Sequence, residues 1–393
     1  MLSFNDYLTE DTKPAESGHV KHITHPEDEH LIHGQAGYKH AVGALTQAHG
    51  HITKGKKDSS MTTKYDGSPA VVFGHHPKTG KFFVATKSAF NKTPKINYSH
   101  DDVDANHGHS PGLADKLHHA LEHLPKVSPK KGVYQGDMMF SHGDVKHNTN
   151  GSASFKPNTI NYTAHGAEAN RVKNAKVGIV VHQKYHGRDI ADMKSSPDVD
   201  RENFKRHPHV WNKSPSHDSS STNYSARDQL EFKKHMDAAH DIHTKNKDMY
   251  KATEPHHGEA GHLASYANHM VRSGETPSSR GLQQHIIDKS EKSAAKFKTA
   301  AKQNEVKNKS KEDVSHIQSN RKHYDNLLKM HHHLQKAKNV LVNTLDQHKG
   351  GLTHDIEGKE TSPEGYVVNH KNKLSKLVNR SEFAKANFNR NRK

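Results

Sequence analysis

Short, dense apolar runs alternate with a long polar stretch and then with helical spacing, and these textures divide the chain. "SPAVVFG" and "KFFVATKSAF", within residues 61–90, flank the turn "HHPKTG", a pattern that predicts a β-hairpin. Strand texture returns at "GVYQGDMMF" and "KVGIVVHQKY", and "GLADKLHHALEHL" between them carries helical spacing. Upstream, Ala41, Leu45 and Ala48 predict a short helix ending at Gly50. From about residue 190 the sequence turns Ser/His/Lys-rich with little alternation. Between about 280 and 347, Ile317, Tyr324, Leu327, Leu334, Leu341 and Leu345 recur at spacings of three, four and seven, which predicts a long amphipathic helix or a helical hairpin. Beyond Gly350 and Gly351 the strand texture resumes in "EGYVVNH" and "KLSKLVN". The expected organisation is an α+β core from residues 20–190 and 350–393, interrupted by a mostly helical, basic insertion over 191–349. No internal repeat is visible.

Composition narrows the function classes. The 393 residues are 30% hydrophobic and 26% charged, so much of the chain must be surface, exposed helix or loop. Lysine plus arginine outnumber aspartate plus glutamate 59 to 43, a formal charge of +16 that favours polyanionic partners, nucleic acid before anionic membrane. The 40 histidines add to that charge only in acidic media, since the ordinary histidine pKa is about 6.5. Without cysteine there is neither a disulfide framework nor a thiolate zinc site. No run approaches the ~18 apolar residues of a membrane span, and the N-terminus lacks a secretory core, so a soluble protein is expected.

One stretch carries chemistry. In "MTTKYDGSPAVVFG", Lys64-Tyr65-Asp66-Gly67 sets a charge pair and a glycine before an apolar run. Read alone, this is a salt-bridged strand end followed by a turn. Downstream, Asp137 follows a glycine on an apolar strand, Glu364 precedes Gly365 and another strand, and Lys373 and Lys376 lie on the last strand. The order of lysine, carboxylate, strand, Glu-Gly strand and lysine strand resembles the covalent nucleotidyltransferase superfamily of polynucleotide ligases and messenger RNA capping enzymes.

The residue types suit that chemistry. A neutral lysine amine can attack the α-phosphate of ATP, two carboxylates can hold a divalent metal, and further lysines can hold phosphate. The resemblance implies an α+β fold built on a nucleotidyltransferase (ATP-grasp-like ligase adenylation) antiparallel β core. It implies that Lys64 forms a lysyl-nucleotide with ATP and Mg2+ or Mn2+, and that Asp137 and Glu364 contact the metal or the ribose. Lys376, with Lys373, would contact the α-phosphate, Lys87 would lie near the ribose and Thr62 would read the purine edge, with Asp66 and Gly67 completing the nucleotide site. The chain departs from the family pattern where Lys-x-Asp-Gly-x-Arg continues after Gly67 as Ser68-Pro69, without the arginine, and where the third-motif carboxylate is Asp137 rather than the longer glutamate. The segment after Lys376 is too short for the OB-fold of DNA ligases and capping enzymes, which directs the comparison to RNA ligases.

Three further features have two readings each. In "MLSFNDYLTE", Leu2, Phe4, Tyr7 and Leu8 fit a short amphipathic helix. The same residues 1–10 resemble the capsid-targeting peptides of internal head proteins in large tailed bacteriophages, which implies cleavage by a prohead protease after Glu10, a place in the virion interior and then delivery to the host cytoplasm. "HALEH", residues 119–123, matches a zinc-hydrolase spacing but is also expected of a histidine-rich helix, as is "HHH" at 331–333. Lys289, Lys292, Lys296, Lys298 and Lys302 form either an ordinary solvated surface or a contact to nucleic-acid phosphates, the first three being spaced for one helical face. The resulting expectation is an RNA- or DNA-ligase-like enzyme packaged in a phage head. The alternative is a non-enzymatic basic head protein that binds DNA on a degenerate fold of the same kind.

Overall fold

The computed structural model describes residues 23–196, 199, 204–253, 259–347, 351–361 and 363–380. The chain divides into two compact units. The first takes Gly55–Ser221 and Asp346–Leu374; the second takes Ile23–Lys54, Thr222–Leu345 and the chain from Ser375. Helix α1 (Pro26–Thr53) belongs to the second unit. The first unit then contributes β1 (Lys57–Lys64), β2 (Ala70–His75), β3 (Phe82–Ala85), α2 (His100–His107), α3 (Pro111–His123) and β4 (Val133–Ser141). It continues through β5 (Lys146–His147), β6 (Ala153–Phe155), β7 (Asn161–Ala164), α4 (Gly166–Asn174), β8 (Val177–His186), β9 (Lys194–Ser196), β10 (Val210–Lys213) and β11 (Ser216–Asp218). Helices α5 (Ala226–Lys245), α6 (Met249–Ala252), α7 (Glu259–Ser273), α8 (Ser279–Ala294), α9 (Ala300–Ser319) and α10 (Arg321–Leu345) form most of the second unit. Strands β12 (Leu352–Ile356), β13 (Lys359–Glu360), β14 (Gly365–His370) and β15 (Lys373–Leu377) follow, and the division falls inside β15.

The first unit holds three sheets, ordered β11-β1-β14-β15, of which it keeps Lys373 and Leu374 of the last strand; β10-β8-β4-β2-β3, with β9 on β8; and β13-β12-β7-β6-β5. Pairing is antiparallel in the predicted hairpin, with Val72 opposite Ala85 and Phe73 opposite Val84, and β10 runs parallel to β8. Alternate residues of a strand face opposite sides. Val71 and Phe73 of β2 therefore enter one core with Leu117 and Ala120 of α3, while Val72 enters another with Phe83 and Tyr185. Because both faces are covered, β2 reads as a continuous apolar run instead of an alternation. Helix α3 opens with Pro111 and buries Ala114, Leu117 and Ala120 at three-residue spacing, each fully buried Leu being worth about 1.5–3 kcal/mol. The fold class is α+β, with antiparallel sheets and ten α-helices among the described residues.

The second unit is helical. Ile317, Tyr324, Leu327, Leu334, Leu341 and Leu345 are all buried, as their spacing predicts. They do not share one helix: α9 ends at Ser319 and α10 begins at Arg321. Lys289 and Lys292 lie on α8, which stops at Ala294, so Lys296 and Lys298 fall in the connection and Lys302 on α9. The predicted helix ending at Gly50 instead runs from Pro26 to Thr53, with a non-helical residue at Gly34. Burial of His51 and Ile52 outweighs the cost of about 1 kcal/mol for a glycine inside a helix. The polar stretch after residue 190 holds β9, β10 and β11, which are too short for period-two alternation to register in the sequence. His331, the first residue of "HHH", is buried with its Nε2 2.9 Å from Asp28 Oδ1, while His332 and His333 are half-buried. No helix of the described residues is long and apolar enough to cross a membrane.

Candidate functional site

The antiparallel register of β1 and β14 places Lys64 opposite Gly365 and Thr62 opposite Val367. Lys64, at the end of its strand, thereby meets Glu364, the residue just before β14, and the two form an ion pair. Gly365 has φ 146°, a backbone conformation that side chains rarely adopt, so the glycine after Glu364 is set by the turn into the strand.

Past Lys64 the chain turns toward β2. The Asp66 carboxylate is buried and accepts hydrogen bonds from Asn158 Nδ2 at 2.8 Å, the Thr159 N–H at 2.7 Å and the Ile160 N–H at 3.0 Å. The Asp66 N–H in turn donates to the Tyr162 hydroxyl at 2.7 Å. Asp66 thus clamps the loop before β7 against the turn. Gly67 packs on Asp137: a Cβ added to the glycine would lie 2.6 Å from Asp137 Cβ. Asp137 is fixed in register by its pairing with Ala70 of β2, and the Ser68 N–H donates to Met138 O at 2.8 Å. On the neighbouring strand β8, His182 presents Nε2 3.2 Å from Asp137 Oδ2.

The result is a cluster in which Lys64, Asp66, Asp137, Glu364 and His182 come from four strands and their flanking turns. Burial pushes the Glu364 pKa above the ordinary glutamate range; the Lys64 ammonium opposes that rise, and the negative charges of Asp66 and Asp137 add to it. An amine held beside a reluctant carboxylate can exchange a proton with it, and the Asp137–His182 pair adds an oxygen and a nitrogen donor, although the ligand atoms of Asp137, His182 and Glu364 do not converge as one three-donor group. The model of a family of unknown function, DUF6267, matches residues 20–392. The chain belongs to this family. No curated protein and no solved structure matches it.

The remaining sequence-predicted residues are distributed as follows. Thr62 is half-buried on β1, two residues before Lys64 and so on the same face of the strand. Lys87 is exposed in the turn that follows β3, and Lys373 is exposed at the start of β15. Lys376 belongs to the second unit, where its backbone N–H donates to Thr24 O at 2.9 Å. Glu10 and the N-terminal peptide lie outside the described residues. A cavity of about 710 Å³ is lined by Thr63 and Tyr65, which alternate with Lys64 along the chain, together with Glu168, Arg171, Lys213 and Tyr366; Lys64 itself is not part of its lining. Sequence reasoning missed His182, whose one signal was to be the polar break in the apolar run of "KVGIVVHQKY". It also missed the loop at 158–160 that engages Asp66.

Proposed function

We propose that the chain is an ATP-dependent nucleotidyltransferase on a ligase-like adenylation core, with Lys64 as its nucleophile. The observation that supports this most is that Lys64 at the end of β1 and Glu364 just before β14 form an ion pair within the electrostatic reach of Asp137, in the middle of β4, three residues from distant parts of the chain. In the reaction the Lys64 amine forms a bond to the α-phosphorus of ATP, the bond between that phosphorus and the bridging oxygen breaks, and pyrophosphate leaves. The amine must first lose a proton, and Glu364 Oε1, already paired with Lys64 and made more basic by burial, is placed to accept it. Asp137 and Glu364 offer the hard oxygen donors that suit Mg2+, and His182 beside Asp137 also admits Mn2+. Such a cation, when bound, neutralises charge on the phosphates. Thr62 would face the base, with Lys87 and Lys373 serving the ribose and phosphates, while Asp66 and Gly67 hold the turn that carries Lys64.

The second substrate in this reading is the 5′-phosphate end of RNA or DNA. The formal charge of +16 and the exposure of Lys292, Lys296 and Lys298 support a polyanionic partner. The N-terminal peptide supports packaging in a phage head, with release into the host cytoplasm. A second reading, a basic head protein that binds DNA without chemistry, is favoured by Ser68-Pro69 standing where the ligase family carries its arginine. It requires salt-sensitive, sequence-independent DNA binding with no nucleotide dependence. Covalent labelling of Lys64 by α-labelled ATP separates the two.

A further inference from the structure

Helix α3 carries "HALEH" at its C-terminal end, and its geometry is independent of the Lys64 cluster. His119 and His123 are one turn apart and therefore on one face. Their rings lie nearly parallel, 8° apart with centroids separated by 6.2 Å. One ligand atom from each of His119, Glu122 and His123 lies within 4.8 Å of the other two, and among the described residues this is the one group of three such donors. His119 is half-buried; its Nε2 is 3.7 Å from Asp115 Oδ1, and its buried Nδ1 has no hydrogen-bond partner among the described residues. Asp115 thus stands near one imidazole nitrogen, at more than hydrogen-bond distance, while the other nitrogen is left to a ligand. His123 is 5% exposed, with Nε2 3.6 Å from Glu122 Oε1.

We propose that His119, Glu122 and His123 bind a zinc ion. Two imidazoles and one carboxylate suit zinc, which accepts nitrogen and oxygen donors in a tetrahedron, and do not suit magnesium, which prefers oxygen donors and water. The fourth position falls to water or to His142, whose ring centroid is 6.3 Å from that of His119. Lys126 competes with the ion: its Nζ lies 2.8 Å from His123 Nδ1, and as an ammonium it donates a hydrogen bond there, which keeps the ring proton on Nε2. Zinc binding at Nε2 moves the ring proton to Nδ1 and obliges Lys126 to turn away, with no net proton released from the ring. Lys126 therefore weakens the site, and its removal strengthens it.

The test uses the full chain, stripped with a chelator and titrated with Zn2+ against a competing metal indicator at about pH 7, with Co2+ absorption as a second readout. The expected result is one tight equivalent in wild type, weakened at least ~10-fold in His119→Gln, His123→Gln and Glu122→Gln, and tightened in Lys126→Met. His235→Gln serves as the control, because His235 and His333 of the second unit bring two rings together, Nδ1 to Nδ1 at 3.0 Å. Circular dichroism confirms that each variant is folded, and Glu122, with 58% of its side chain exposed, can be replaced without opening the core. Equal affinity in wild type and in Glu122→Gln and His119→Gln, or loss of the tight equivalent in His235→Gln alone, would overturn the assignment. So would a wild type that binds zinc no tighter than the weak sites of a histidine-rich surface.

Discussion

Lys64 and Glu364 form an ion pair that exists because β1 and β14 align Lys64 with Gly365, so that the last residue of one strand meets the residue preceding the other. The pair is local in space and remote in sequence. Its carboxylate is the one whose protonation the site disturbs most clearly: burial raises the Glu364 pKa, Lys64 counters it, and Asp66 and Asp137 reinforce it.

That shift has a sign. The folded pKa of Glu364 lies above the unfolded value of about 4.3, so the folded state binds this proton more tightly. The carboxyl contributes stability that is fully present below pH ~4.3 and is lost as pH rises through the raised value. Glu364→Gln imitates the protonated form at every pH. Its stability relative to wild type should therefore increase as pH rises from about 4.3 through the raised value, as read from urea midpoints. A difference that stays flat or falls over that window would contradict the buried-carboxylate account.

Gly67 should not tolerate a side chain. The Cβ of Gly67→Ala would stand 2.6 Å from Asp137 Cβ and 3.0 Å from Met138 O, so β2 or β4 must shift. Overpacking of this kind costs about 1–3 kcal/mol, which denaturant unfolding would register. Gly80→Ala, at a surface turn with open space around the added atom, is a useful comparison, although its φ of 69° carries its own strain. Equal stability of Gly67→Ala and wild type would show that the turn does not pack on Asp137.

In the helical unit, Asp28 accepts two hydrogen bonds from Arg380 Nη1, at 3.0 and 2.9 Å, and faces His331 Nε2 at 2.9 Å. Burial by itself would raise the Asp28 pKa, but Arg380, His331 and Lys338 together hold it well below the usual carboxylate range. A depressed carboxylate pKa gives stability that is present above pH ~3.9 and lost as pH falls toward the folded value. Asp28→Asn should cost about 3 kcal/mol at neutral pH, because it removes the nearer of the two carboxylates that face Arg380, Glu27 Oε1 remaining at 3.8 Å. The gap from wild type should narrow as the pH is lowered below ~3.9. A cost independent of pH would contradict the ion-pair account.

The parts of the fold written in local pattern were legible in the sequence. The β2–β3 hairpin, β4, β8 and α3 follow from dense apolar runs or three-residue spacing, and the buried stripe from Ile317 to Leu345 was placed residue by residue. Lys64, Asp137 and Glu364 were marked by the order of their motifs, and their meeting depends on pairing between remote strands that no local pattern encodes. His182 stayed hidden because its position beside Asp137 depends on an irregular register between β4 and β8, where Gln135 faces Gln183 and Gly136 faces Val181. Asp66 reads in sequence as part of a nucleotide motif, and only the fold brings Asn158, Thr159 and Ile160 onto its carboxylate. The break at Ser319 agrees with the helical-hairpin alternative, whereas the break at Ala294 escaped the lysine spacing because that spacing continues across a short connection even where the helix does not.

The nucleotidyltransferase account rests most directly on one measurement, incubation of the purified full chain with α-labelled ATP and Mg2+ or Mn2+, followed by denaturing electrophoresis. The account predicts label retained on wild type, released pyrophosphate, and no label on Lys64→Ala, with label retained on Lys292→Ala, whose exposed lysine lies outside the nucleotide site. Wild type that takes up no label across both metals and across ATP and GTP, or Lys64→Ala labelled as strongly as wild type, would contradict it.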